Sequence, residues 1–215
     1  MTVLALTPHP DTPPAAIGAV TCSVSWQGPG SWCFDYIVGE PPEALRLPAA
    51  VAPGRADGLW RRTCFELFLR RRGEEGYFEF NFSPSGEWAA YRFDRYREGM
   101  AEPVVATPRI ISTDPAQFAA GMTTYLATLG LDAETAKMMA EMDVGGGGGA
   151  PASQYALSAC LDDPAFGGAG AWEAAISAVI EESDGTKSYW ALDHAHGKPD
   201  FHHPDCFALE LPADS

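Results

Sequence analysis

The chain of 215 residues is long enough to bury a sizeable core, and its hydrophobic content of 46% is typical of an ordinary globular protein. Its formal net charge of -15 argues against general binding to nucleic acids or to an anionic membrane surface. The charge is uneven, because residues 61–97 contain eight arginines and six acidic residues. Solvated strand faces and turns would explain this segment, and arginine donors around a polar or anionic ligand are the alternative.

The N-terminal sequence "MTVLALTPHPDTPP" does not have the pattern of a signal peptide, because it lacks basic residues and four prolines interrupt it. No apolar run is long enough to span a membrane. We therefore expect a cytoplasmic protein with no membrane partner. The cysteines fit this expectation, since their number is odd and no CxxC occurs. We predict reduced, half-buried thiols at all five positions, which are Cys22, Cys33, Cys64, Cys160 and Cys206.

Alternation of apolar and polar residues dominates the chain. It is clearest in "YFEFNF" (residues 77–82), where three phenylalanines alternate with Tyr77, Glu79 and Asn81. The turn "SPSGE" and a partner strand "WAAYRF" follow directly. Many short strands separated by Gly, Pro and Asp turns predict a mainly all-β fold, an antiparallel jelly-roll-like sandwich. We expect one domain over residues 1–215.

One stretch departs from this alternation. Residues 115–142 carry Ala, Met and Leu at helical spacings, and Asp132 is a candidate cap for a second helix within them. Five glycines follow at residues 145–149 and indicate a flexible linker. We therefore predict a helical and Gly-rich insertion, residues 115–150, in a long loop between strands.

The candidate ligand-binding residues follow from the two faces of these strands. If the phenylalanines of residues 77–82 face the core, Glu79 and Asn81 point the other way, as does Glu66 on the preceding strand. Arg92 and aromatic rings lie close by in the sequence. Rings that cover the C–H face of a sugar, with planar groups that bond its hydroxyls, are what a saccharide site needs. An exposed sheet face with cross-strand charge pairs is the alternative.

A second dense region is the His/Asp-rich loop 193–205. It contains His194, His196, His202 and His203, which we regard as weak candidates for metal binding. A third reading is an enzyme that uses this loop, but the chain has no GxSxG, P-loop or HExxH motif. We therefore do not expect catalysis.

The blocks "LWRRTCFELFL", "YFEFNFSPSGEWAAYRF" and "SAVIEESDGTKSYWALDHAHGKPDFHHPDCFALEL" resemble the DOMON-like superfamily. The similarity is closest to a bacterial group related to family 9 carbohydrate-binding modules. The resemblance implies a jelly-roll-like sandwich that binds sugars or, in other branches, haem. It implies that Trp60 and Trp190 stack on a terminal sugar, that Glu66 bonds to it, and that Asn81 is a further polar contact.

The leading hypothesis is thus a non-catalytic module that binds a saccharide or a similar small polar ligand. Its ligand contacts would be Trp60, Glu66, Glu79, Asn81, Arg92 and Trp190. The alternative is a haem-binding module. In haem-binding relatives Met and His are the axial ligands, so the candidates here are His202, His194, Met100 and Met122. The resemblance also raises a structural calcium ion, and an exposed sheet edge would allow a homo-oligomer.

Overall fold

A computed structural model describes residues 2–113, 154–168 and 170–211, together with positions 130, 132, 134, 135 and 138. These residues contain the following twelve strands: β1 (Thr2–Pro8), β2 (Val20–Gly28), β3 (Ser31–Val38), β4 (Gly54–Arg55), β5 (Cys64–Arg71), β6 (Tyr77–Phe82), β7 (Glu87–Phe93), β8 (Arg109–Ser112), β9 (Tyr155–Asp162), β10 (Trp172–Glu181), β11 (Lys187–Ala191) and β12 (Leu209–Leu211). Short 3-10 turns cover Pro42–Ala44, Leu59–Arg61, Pro164–Phe166 and Pro204–Cys206. No helix in the described ranges is long and apolar enough to cross a membrane.

The strands form one curled sheet whose two halves face each other. The first half has the order β1-β2-β3-β9-β8, and the second has the order β4-β7-β6-β5-β10-β11. Strand β1 belongs to both, because residues 2–6 pair with β2 while Thr7 and Pro8 pair with β11. Except for β4 and β7, which pair in parallel, the paired strands are antiparallel. The prediction of a mainly β, sandwich-like fold is confirmed.

The main core lies between the two halves and is built by alternate residues of each strand. Phe80 and Phe82 of β6 face inward and are fully buried. From the opposite half, Tyr36 packs against Phe65, with ring centroids 5.0 Å apart, and donates a hydrogen bond of 2.9 Å to the carbonyl of Glu66. The period-two pattern thus assigned the phenylalanines of β6 to the core side of the sheet.

A smaller apolar cluster covers the outer face of the second half. The segment after β11, residues 192–208, lies across this face, and we call it the C-terminal loop. Its Phe201 and Cys206 are buried against Phe68 and Tyr77 of the sheet. The outer face is therefore not an open sheet surface. It is partly covered, and a cleft remains between the sheet and the loop.

The prediction of five reduced, half-buried cysteines is wrong. Cys33 of β3 lies directly opposite Cys160 of β9, with Cα atoms 4.1 Å apart, and the two form a disulfide. The other three, Cys22, Cys64 and Cys206, are free and buried. The pairing joins residues 127 positions apart, so it depends on a strand register that the spacing of cysteines does not reveal. The cysteines therefore give no argument for a reducing compartment.

The predicted insertion at residues 115–150 lies almost wholly outside the described residues. Five of its positions are described. Among them, the Asp132 carboxylate accepts hydrogen bonds from the backbone N–H of Thr135 at 2.9 Å and from its hydroxyl at 2.7 Å. This is the N-capping interaction expected for Asp132, and it holds the pKa of that carboxyl below its usual range.

Candidate functional site

A cleft of about 410 Å³ opens on the outer face of β5, β6, β7, β10 and β11, beneath the C-terminal loop. Its volume lies within the range typical of small-molecule sites. Six aromatic side chains line it: Trp60, Phe68, Tyr91, Phe93, Tyr189 and Phe201. Five polar or charged side chains share it: Glu66, Glu79, Arg97, Asp200 and His202. This combination of rings and planar hydrogen-bonding groups makes the cleft the candidate site.

Trp60 forms an exposed aromatic wall at the edge of this cleft. It lies on the 3-10 turn Leu59–Arg61, and Gly58 begins that turn in the left-handed conformation (φ 71°), which favours glycine. The Trp60 side chain is 42% exposed and packs edge-on against Tyr91, with ring centroids 6.1 Å apart. Tyr91 is itself fixed, because its hydroxyl donates a 2.5 Å hydrogen bond to Asp57. A large apolar ring is thus held in place with one side free for a ligand.

Two buried carboxyl groups form the floor of the cleft. Antiparallel pairing places Glu66 of β5 opposite both Asn81 of β6 and Ser177 of β10. The Glu79 Oε1 atom accepts a 2.7 Å hydrogen bond from the Asn81 amide. Glu66 has only a long contact, 3.5 Å from the Ser177 hydroxyl, among the described residues. Ligand hydroxyl groups would supply the hydrogen bonds that this floor lacks.

Burial changes the charge balance of this floor. Removal from water, and then the charge of the neighbouring Glu79, raise the pKa of Glu66 well above its usual range. Burial also raises the pKa of Glu79, while the hydrogen bond from Asn81 and the charge of Arg97 oppose that increase. The two carboxyl groups therefore hold a proton more readily than exposed ones do. A protonated carboxyl can donate as well as accept.

The turn after β7 supplies the cationic side of the cleft. Arg97 adopts the left-handed conformation (φ 56°), the sole positive φ of a non-glycine residue among the described residues. Its guanidinium forms a 2.7 Å ion pair with Asp200 of the C-terminal loop. Tyr96 donates its hydroxyl to the same carboxylate. This strained turn therefore links the sheet to the loop that covers the cleft.

His202 is held in the loop by a chain of hydrogen bonds. The backbone N–H of Arg97 donates to the Tyr77 hydroxyl oxygen at 3.2 Å, and that hydroxyl lies 2.8 Å from His202 Nδ1. Burial, followed by the nearby charge of Arg97, lowers the pKa of His202 to about 4. The ring is consequently neutral at pH 7. Its other nitrogen, Nε2, lies 3.7 Å from Glu79 Oε2.

The structure brings four of the six predicted ligand-binding residues together. Trp60, Glu66 and Glu79 line the cleft, and Asn81 lies behind Glu79, fully buried and bonded to it. Their roles as ligand contacts stay predictions.

The arginines of residues 61–97 mostly lie on solvated strand faces and turns, as the first of the two interpretations of that segment predicts. Arg70, Arg72, Arg92 and Arg95 form ion pairs with nearby carboxylates, and Arg97 is the one that lines the cleft.

Trp190 and Arg92 do not reach the cleft. Trp190 pairs with Ala178 of β10, and both belong to the main core, on the inner face of the sheet. Its indole N–H donates to the Ser188 hydroxyl at 2.9 Å. Arg92 shares the inner face with the buried Ala90 but lies at the margin, where it pairs with Asp94 at 3.2 Å. The predicted stacking role of Trp190 and the predicted ligand bond of Arg92 do not fit these positions.

The predicted histidine cluster does not assemble. His194 Nε2 lies 2.8 Å from the Thr7 carbonyl oxygen, His203 accepts from the backbone N–H of Asp205, and His196 is exposed. Among the described residues, no three His, Cys, Asp or Glu side chains converge as metal ligands. The histidines of the loop therefore do not form a transition-metal site within that part of the chain. Met122 lies outside it.

Some cleft residues escaped the sequence argument. Tyr91 and Phe93 share the face of Glu79 by the same alternation, so the period-two signal could have found them. Tyr189 was next to the chosen Trp190, on the other face. Arg97 reaches the cleft through a turn, and no local pattern predicts that.

No protein-family model and no curated protein matches the chain. Among solved structures, it is similar to a protein from Bacteroides uniformis ATCC 8492 that is provisionally described as carbohydrate-binding. The TM-score is 0.60 at 14% identity, and the match covers 96% of this chain and 84% of that chain. At that identity the likeness shows a shared fold and nothing more.

Two structures of a family 9 carbohydrate-binding module from Caldicellulosiruptor kristjanssonii are more distant. The complex with glucose has a TM-score of 0.39 at 9% identity and covers 83% of this chain and 69% of that chain. The complex with cellotriose has a TM-score of 0.42 at 8% identity and covers 90% and 75%. At these scores the module carries no argument about this chain, and the resemblance to the DOMON-like superfamily stays a prediction.

Proposed function

We propose that this protein binds a saccharide in the cleft between Trp60 and the C-terminal loop. The observation that carries the proposal is the floor of buried carboxyl groups, Glu66 and Glu79, which few protein donors satisfy. Buried carboxyl groups are costly unless they are hydrogen-bonded, and a small polyol supplies several hydroxyls in a small volume. The Bacteroides protein with the shared fold is itself described, provisionally, as carbohydrate-binding.

The walls of the cleft support the same reading. The exposed ring of Trp60 offers a flat apolar surface to the C–H face of a sugar, while the carboxyl groups below address its hydroxyls. Arg97 adds a planar donor group on one side. The contact set therefore differs from the predicted one: Arg97 takes the place of Arg92, and Tyr189 and Phe201 take the place of Trp190.

Calorimetric titration tests the proposal, with glucose, galactose, mannose, xylose and cellotriose as probes. We expect at least one of them to bind, and Trp60→Ala to weaken that binding by tenfold or more, on the order of the 1.4 kcal/mol that corresponds to such a factor. Trp26→Ala is the matched control, since Trp26 is 51% exposed on β2 in the other half of the fold. No heat from any probe, or equal affinity in wild type and Trp60→Ala, would count decisively against this cleft.

Haem is the second candidate, because His202 and Met100 both line the cleft. The residues do not fit it well. Iron needs an unprotonated ring nitrogen, but the free nitrogen of His202 faces a buried carboxyl group, and its other nitrogen is bonded to Tyr77. His194 lies against the Thr7 carbonyl instead. We expect no Soret band after titration with haem, and a stoichiometric band would replace the saccharide proposal.

A further inference from the structure

Within the proposed saccharide site, His202 and Glu79 face each other across a short gap. His202 Nε2 and Glu79 Oε2 are 3.7 Å apart, which is too long for a direct hydrogen bond. Both side chains line the cleft and are only 15% and 7% exposed. Two nearly buried polar atoms that face each other without bonding are poised for a third partner.

The hydrogen bonds around His202 fix where its proton lies. A backbone N–H can only donate, so the Tyr77 oxygen accepts from Arg97. Tyr77 is buried, and within the described part of the chain His202 Nδ1 is the acceptor within reach of its hydroxyl hydrogen. Nδ1 therefore accepts, and a neutral imidazole must then carry its proton on Nε2. His202 presents an N–H donor to the cleft.

Glu79 supplies the matching acceptor. Its Oε1 atom is engaged by the Asn81 amide at 2.7 Å, while Oε2 receives no hydrogen bond from another described residue. A donor and an acceptor are thus held side by side at the surface of the cleft. Tyr77 fixes the role of the histidine, and the bond from Asn81 together with the charge of Arg97 favours the ionised form of Glu79, which can only accept.

We propose that His202 Nε2–H and Glu79 Oε2 recognise two adjacent hydroxyl groups of a sugar ring, His202 donating to one and Glu79 accepting from the other. Adjacent hydroxyls on a pyranose lie side by side, somewhat closer together than these two atoms, and each hydroxyl can both donate and accept. A ligand that lacks either hydroxyl leaves a buried polar atom unpaired, which is the costly case. The pair would thus determine which sugars are accepted. This inference rests on the proposed saccharide function.

The first test concerns the free protein and needs no sugar. Side-chain ¹⁵N NMR distinguishes the two neutral tautomers of histidine, and at pH 7 we expect His202 to carry its proton on Nε2. Tyr77→Phe removes the donor to Nδ1, so the Nδ1–H form should then appear. A wild-type His202 that is protonated on Nδ1, or on both nitrogens, would overturn the inference.

The second test measures affinity for glucose and its monodeoxy derivatives, or those of whichever monosaccharide in the panel binds best. In wild type, we expect removal of one hydroxyl at either of two adjacent positions to weaken binding about tenfold. His202→Ala should bind the parent sugar about tenfold more weakly than wild type does. For one of those two deoxy sugars, which already lacks the hydroxyl that His202 contacts, the affinity should be the same in His202→Ala as in wild type. His202→Gln, which keeps an amide N–H donor, should recover part of the affinity.

The outcomes separate the inference from the function beneath it. If wild type binds a sugar but His202→Ala weakens the parent and every deoxy derivative equally, His202 is only structural and the inference fails alone. If His202→Ala binds all of them as wild type does, it fails in the same way. If wild type binds no saccharide, both the proposed function and the inference that rests on it are wrong.

Discussion

The two faces of strands β5, β6 and β7 share one backbone but have opposite chemistry. On the inner face, Leu67 and Phe80 are fully buried in an apolar core. On the outer face, one residue away, Glu66 and Glu79 are also buried, but as carboxyl groups beside a cleft. Burial stabilises the first set, whereas it costs free energy for the second. The inner face thus maintains the fold, whereas the outer face holds the carboxyl groups on which the proposed ligand site rests.

The largest effect should come from the inner face. Phe80→Ala removes a fully buried ring from the core, and we expect it to lower the free energy of unfolding by about 3–5 kcal/mol in urea denaturation. Trp60→Ala on the outer side should change it by less than about 1 kcal/mol, because that ring is 42% exposed. Comparable losses at both positions would remove the distinction between the faces.

The next effect concerns the half of the sheet whose strands do not line this cleft. Replacing Cys33 and Cys160 together by serine removes the disulfide, and we expect a loss of about 2–4 kcal/mol in the free energy of unfolding. Saccharide affinity should stay the same, since neither residue lines the cleft. Cys22→Ser is a poor control because its thiol is buried, so wild type treated with a reductant serves instead. A loss of affinity in the double variant would show that the two halves are coupled.

Glu66→Gln tests the contrast between the two faces through the pH dependence of stability. The raised pKa of Glu66 means that the folded state holds its proton more tightly than the unfolded state does. The proton on Glu66 stabilises the folded state at pH values below the pKa that Glu66 has in the unfolded chain. This contribution is lost as the pH rises through the pKa that Glu66 has in the folded state. The free energy of unfolding of the variant, relative to wild type, should therefore increase between pH 4 and pH 8.

Glu79→Gln is the comparison for this pH series. The increase in its free energy of unfolding relative to wild type should be smaller than for Glu66→Gln, because the hydrogen bond from Asn81 and the charge of Arg97 partly offset the effect of burial on the pKa of Glu79. His202 titrates in all three proteins, so most of its contribution cancels. Parallel stability curves for wild type and Glu66→Gln would mean that Glu66 ionises as an exposed carboxyl does.

The smallest effect tests the strained turn beside the cleft. Both Arg97→Gly and Arg97→Ala remove the ion pair with Asp200, but only glycine accepts φ 56° without strain. We expect Arg97→Gly to be more stable than Arg97→Ala by about 0.5–1 kcal/mol in thermal or urea unfolding. At Tyr96, whose φ is not positive, the order should reverse. Equal stabilities at position 97 would argue against a left-handed residue there.

Local alternation predicted the parts of this molecule that depend on one strand at a time. It separated Phe80 from Glu79 correctly, because successive side chains of a strand point to opposite faces. It did not determine the face of Trp190, which follows from the pairing of Trp190 with Ala178 on another strand. Register between strands is set by the whole fold, and a single sequence gives little information on it.

Most of the parts that could not be predicted join distant segments. The disulfide needs β3 beside β9, and the position of His202 needs the C-terminal loop folded over β6. Arg97 enters the cleft because of an unusual backbone angle in a turn. The candidate site thus combines carboxyl groups that the pattern predicted with partners that only the three-dimensional structure supplies.

The disulfide has a topological consequence for that site. It closes a covalent loop from residue 33 to residue 160, and this loop contains β5, β6 and β7 with both carboxyl groups of the cleft floor. Tyr189, Asp200 and His202 come after residue 160, in the C-terminal part of the chain that the covalent loop does not include. A single proteolytic cut between the two cysteines would leave one covalent molecule, whereas a cut just after β9 would separate the floor of the cleft from its cover.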